Sequence, residues 1–162
     1  MQEAAGFFGW LESAPLSLAM RSSLWLYPIV EIFHIAGFVV LVGAAAMFDL
    51  RLLGFSKFLP VQGLGRFLLP WSIASLLLVI PAGLMMFSAH PHEFIDNRVF
   101  LLKLTLIATA GINALLFHVG VYRSVVYWNV NISAPRLAQF HALASLAIWI
   151  AVVSCGRLLA YT

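Results

Sequence analysis

Three histidines lie within strongly apolar stretches: His34, His118 and His141. Two more, His90 and His92, flank Pro91. Imidazole is the commonest metal ligand, the usual axial ligand of haem iron and the side chain that exchanges protons near neutrality. An ionisable group among apolar residues is costly to keep there, so each of the three is a candidate for function. Glu31 precedes His34 by three residues and shares its helical face. Such an E-x-x-H pair binds a non-haem metal when a second carboxylate–histidine set faces it. The chain has no second E-x-x-H, so Glu31 is better read as part of a proton or quinone site. His and Met residues near one membrane face also suit copper. Lys103, Arg51, Arg123 and Arg136 are cations that could pair with the propionates of a haem.

The residues around these side chains set the class of the protein. The chain is 63% hydrophobic and only 9% charged, with mean hydropathy +1.01. A soluble domain carries roughly a quarter charged residues. The expectation is an all-α integral membrane protein, a four-helix up-down bundle in a lipid bilayer. The cations sit at helix ends, where they set topology, so the net charge of +3 gives no support for a nucleic-acid partner. The single cysteine, Cys155, allows no internal disulfide and reads as a packed helix residue.

Residues 1–23 contain Glu3, Glu12 and Pro15 and lack the positive start and unbroken apolar core of a cleaved leader. With Phe7, Phe8, Trp10 and Leu11 they read as an N-terminal helix lying in the interface. Residues 24–162 form the four-span domain. The first span runs from about Pro28 to Leu53. After a Gly- and Pro-rich connection, Gly54 to Gly65, the second runs from about Arg66 to Ser88, with Pro81 kinking it. The third starts at Asn97 and continues past His118 to Tyr127. The fourth starts at Pro135, with Ser133 as its cap, and ends near Leu159.

Both termini then lie on one side of the membrane, with His90 and His92, and His34 sits toward that side. His118 and His141 lie near the opposite face, beside the connection of the third and fourth spans. His118 has Ala114 and Gly111 on its face; His141 has Ala138 and Ser145. Small residues beside an imidazole leave room for a flat ring. His118 and His141 are therefore expected to hold one haem b. A second haem would sit on His34, with His90, His92, Met85 or Met86 as partner. Neighbouring helix axes are only about 8–10 Å apart, which leaves open a single haem with another ligand pair. Asn113 points about 140° away from His118 around the helix and reads as a hydrogen bond to another helix. Arg21, Arg98, Lys103 and Arg157 lie on the side of the termini, against Arg51, Lys57, Arg66, Arg123 and Arg136 on the other. The excess places the termini outside.

Two stretches carry a resemblance. Trp25 to Gly54 contains His34 and ends Asp49-Leu50-Arg51-Leu52-Leu53-Gly54. Asn97 to His118 has Asn97, Phe100 and Lys103 at its start and Asn113-Ala114-Leu115-Leu116-Phe117-His118 at its end. Both resemble a bacterial family of four-helix membrane proteins known as a domain of unknown function, and the likeness covers about a third of the chain. The layout is also similar to small b-type cytochromes of the cytochrome b561 kind and to copper-resistance membrane proteins. That likeness implies a bacterial inner-membrane protein that passes electrons between quinone and an extracytoplasmic carrier, as a subunit of an oxidoreductase. Copper handling and a non-redox subunit of a larger membrane complex are the alternatives.

Overall fold

The computed structural model describes residues 6–161, and every regular element among them is helical. Two short helices, α1 (Phe7–Ser13) and α2 (Pro15–Ser22), open the chain. Four long helices follow: α3 (Leu26–Leu52), α4 (Val61–Ala89), α6 (Arg98–Val119) and α7 (Arg136–Leu158). The short α5 (Pro91–Asp96) joins α4 to α6, and a 3-10 helix (Val121–Trp128) joins α6 to α7. The four long helices are long and apolar enough to cross a membrane. The protein is a multi-pass membrane protein built as an all-α four-helix bundle.

The packing follows a seven-residue repeat of mostly small side chains. On α3 the buried positions include Val30, Gly37, Ala44 and Arg51; on α4 they are Val61, Leu68, Ser75, Ala82 and Ala89, with only Ser88 outside that repeat. A seven-residue repeat keeps one seam facing a neighbour, and small residues in it let two helices approach in lipid. At Gly37 the approach is closest: a Cβ there would lie 2.8 Å from Val79 Cγ2. The helix α3 packs on α4 and on α7, and α7 packs on α6. Among the described residues, α6 does not approach the backbone of α3 or α4. The α4–α6 seam is bridged at one end by Phe87 stacked on Phe100, ring centroids 5.9 Å apart. At the other end Tyr122 of the 3-10 helix lies over Gly65 of α4.

Several boundaries differ from the sequence reading. The helix α4 starts at Val61, not near Arg66, because its first amides find partners: Val61 N donates to Asn129 O (3.0 Å) and Gln62 N to Asn129 Oδ1 (2.9 Å). Gly63 and Gly65 therefore lie inside the helix. The third span stops at Val119, not Tyr127, since Gly120 leaves helical geometry (φ −100°, ψ −109°) and the chain tightens into the 3-10 helix. Ser133 caps nothing at α7; its hydroxyl takes a hydrogen bond from Lys57 Nζ (2.9 Å), and Pro135 holds the N-cap position. Asn97 does cap α6, accepting from Val99 N and Phe100 N.

The N-terminal segment is two helices, with Pro15 at the break. Phe7, Trp10, Leu16 and Leu18 are exposed, as an interfacial hairpin requires. Its other face is docked: Met20 is buried with Val30, Ala82 and Ala89, and Arg21 donates to the Ala89 carbonyl (2.8 Å). Residues 1–5, Glu3 among them, lie outside the described residues.

Gly37→Leu is expected to force α3 and α4 apart and lower stability by about 1–3 kcal/mol. Thermal unfolding in detergent, read by circular dichroism, checks it. Gly43→Leu, where nothing lies within 4 Å of the added Cβ, is expected to leave the melting temperature unchanged.

Candidate functional site

The three membrane-embedded histidines share one bonding pattern. His34 Nδ1 is 2.9 Å from the Val79 carbonyl oxygen, His118 Nδ1 is 2.8 Å from that of Ala114, and His141 Nδ1 is 2.7 Å from Asn113 Oδ1. A carbonyl oxygen has no hydrogen to give, so Nδ1 is the donor in each case. The orientation of Asn113 is decided by its other end, where Nδ2 donates to the His141 carbonyl (3.0 Å). With Nδ1–H engaged, the neutral ring keeps its lone pair on Nε2. This is the state of a histidine ready to ligate a metal, with an oxygen behind the ring fixing its tautomer.

His34 stands about 12 Å into the membrane from the start of α3, at 1.5 Å per residue. On the helix it lies between the α4-facing seam (Val30, Gly37, Ala44) and the side turned to α7, where Phe38 meets Trp149 edge to face. It therefore faces the interior, and Gly83 of α4 makes room for it: a Cβ there would lie 3.1 Å from His34 Cε1. Lys103 of α6 is half-buried, extends to within 3.8 Å of where a Gly156 Cβ would sit on α7, and is within electrostatic reach of His34. Among the described residues Lys103 has no ion pair. An imidazole on α3 and a cation on α6 thus lie within electrostatic reach of each other.

His118 and His141 lie near the opposite end, as expected, but they do not face each other across a gap. Phe117, 4% exposed, packs edge to face on both, with centroids 5.2 Å from His118 and 6.0 Å from His141. Phe48 and Tyr122 close around Phe117 at 5.8 and 5.5 Å. The space a flat macrocycle would need between the two histidines is filled. Asn113 does reach another helix, and its partner there is His141 itself.

The other candidates are placed elsewhere. Arg51 is not turned toward any open site. It is 2% exposed, donating from Nε to Leu59 O (2.7 Å) and from Nη2 to Lys57 O (3.0 Å) and Asn129 O (3.1 Å). It holds two loops together through their backbone carbonyls. Arg123 and Arg136 are exposed. His90 follows α4 and pairs with Glu93 at 3.5 Å, and His92 lies against the Phe8 ring. His90 is seven residues beyond Gly83, about 10 Å farther along the helix than His34's contact, so it does not complete a site with His34. Met85 and Met86 pack around Met20, Val30, Ala82 and Ala89. Glu31 is exposed and makes no ion pair among the described residues. A half-open cleft of about 530 Å³ beside Tyr27, His90, Glu93, Asp96 and Asn97 marks the end that carries the termini.

Sequence reasoning missed Phe117, Gly83 and Val79, which carry no chemical signal of their own. No family model matches the chain, and no curated protein or solved structure matches it either.

Arg51→Met is expected to break three hydrogen bonds to a charged donor, at about 1.5–3 kcal/mol each, leaving the Leu59 carbonyl unpaired while Lys57 O and Asn129 O keep the Asn131 and Val61 amides, and to prevent recovery of a monodisperse protein. Asn113→Leu, which frees His141, is expected to cost only about 0.5–2 kcal/mol and to leave a folded bundle. Size-exclusion profiles and thermal unfolding in detergent separate the two outcomes.

Proposed function

We propose that this protein is a membrane b-type cytochrome that carries electrons through one histidine-ligated haem, held by His34 in the half of the bundle near the termini. The observation that carries this reading is His34, held toward the interior by its bond to the Val79 carbonyl with the Lys103 cation within electrostatic reach. His34 fixes its Nδ1 hydrogen on Val79 and so keeps the lone pair on Nε2, with the ring packed against Gly83. Lys103, which makes no ion pair among the described residues, supplies a cation for a carboxylate such as a propionate. When bound, the haem would supply a one-electron couple. The pairing of His118 with His141 does not fit a second group of this size, because Phe117 fills the space between them. Those two rings are read as packing residues of the other end.

Exposed Lys57, Arg66, Arg123 and Arg136 at the loop end favour that end inside and the termini outside. A bacterial inner membrane follows from the family resemblance. Glu31 and the cleft beside Tyr27 and Glu93 lie on the outer side, where a quinol or an extracytoplasmic carrier would exchange electrons, with the protein serving as a subunit of an oxidoreductase.

One observation favours a second reading, a non-redox subunit of a larger complex: His34 and His141 both spend Nδ1 on bonds between helices. Copper handling has less to stand on, because among the described residues no three His, Cys, Asp or Glu side chains converge.

A reduced-minus-oxidised absorbance spectrum of protein purified from haem-replete cells tests the proposal. Bands of the b type and about one haem per chain are expected. His34→Ala should lose the haem and His118→Ala should keep it. Full haem content in His34→Ala sinks the His34 site. A featureless spectrum together with a lowered melting temperature in His141→Ala favours the structural reading.

A further inference from the structure

The loop end of the bundle holds a carboxyl group that nothing above uses. Asp49, in the last turn of α3, is 7% exposed, and its Oδ2 has no hydrogen-bond partner. The Ser145 side chain of α7 is within interacting reach of it. None of the charged and titratable groups around it is bonded to it, although Arg51 Nη1 is likewise buried without a partner. Arg51, on the same helix, points into the loop carbonyls. His141, one turn before Ser145 on α7, holds Asn113 through Nδ1. Arg66 on α4 and Arg123 on the 3-10 helix are exposed. No cation forms an ion pair with Asp49 among the described residues.

A carboxylate in this position would carry an uncompensated charge inside a membrane-embedded bundle. Buried charges are paired or neutralised, and an isolated one is far more costly than an unpaired neutral oxygen. A neutral acid removes that cost: Oδ2 is left as an unpaired carbonyl, and Ser145 is within reach of the group. We propose that Asp49 is a proton-binding site inside the membrane, between α3 and α7, with Ser145 as the hydrogen-bond partner of its carboxyl group. The proton is exchangeable with the medium, since Asp49 lies only three residues from the end of α3 and next to the loops. Ser145 and His141 share one face of α7 a turn apart. The site is independent of haem on His34 and stands or falls by itself.

Infrared spectroscopy of the full chain in lipid nanodiscs at neutral pH tests it. A carbonyl-stretch band of a protonated carboxylic acid is expected. It should move to lower frequency in D₂O, vanish in Asp49→Asn and persist in Asp96→Asn. Ser145→Ala should raise its frequency by removing the hydrogen bond, and this variant decides the matter if Asp49→Asn fails to fold. The proposal is overturned by absence of the band from the wild type, by its persistence in Asp49→Asn or by an unchanged frequency in Ser145→Ala. A band that does not move in D₂O marks a sealed structural acid and overturns it too. So does a band that disappears on adding sodium, which marks a cation site instead.

Discussion

The loop end of this bundle is organised by one guanidinium. Arg51 is the residue where the seven-residue seam of α3 runs out, and it gathers carbonyls of Lys57, Leu59 and Asn129 from two different connections. In a membrane protein the backbone outside helices must be satisfied by protein, because lipid offers no partner. A planar cation with several donors is suited to answer several carbonyls at once. The consequence reaches beyond the loops. Asn129, held by Arg51, supplies both acceptors for the first amides of α4, so the start of the second span depends on the end of the first.

The same demand for partners shapes the interior. Polar side chains do not gather into one centre. They pair across helices, His34 with the Val79 carbonyl, Asn113 with His141, Asp49 with Ser145. Each pair joins a different couple of helices, α3 to α4, α6 to α7 and α3 to α7. No such pair joins α4 to α6, and their backbones also stay apart. Among the described residues α6 is tied to the bundle mainly through α7.

Much of the architecture was legible in the sequence. Four apolar runs, the proline before α4, the Asn97 cap and the Pro135 start of α7 are local signals, and each appears in the structure within a few residues of its expected place. The errors were local signals overruled by distant ones. Gly63 and Gly65 read as breakers, yet Asn129 stabilises a helix start before them. The apolar residues after Gly120 read as more of α6, yet they wind into a 3-10 helix that buries Val125 and Trp128 in the loop-end core. The candidate site was less legible. The histidines were found by type and their depths by counting, but Phe117 between His118 and His141 was invisible, because one phenylalanine among many carries no mark of its position.

What the sequence by itself determined is the class of protein, the number of spans and the depth of each polar group. These follow from hydropathy and a fixed rise per residue, which are sums over neighbours in the chain. What only the tertiary structure decided is who meets whom. Side-chain direction turns by about 100° with each residue, so a small rotation of one helix exchanges its partners. Packing set that rotation, at Gly37 against Val79 and at Gly83 against His34, and so turned Arg51 to the loops, His141 to Asn113 and His34 to the interior.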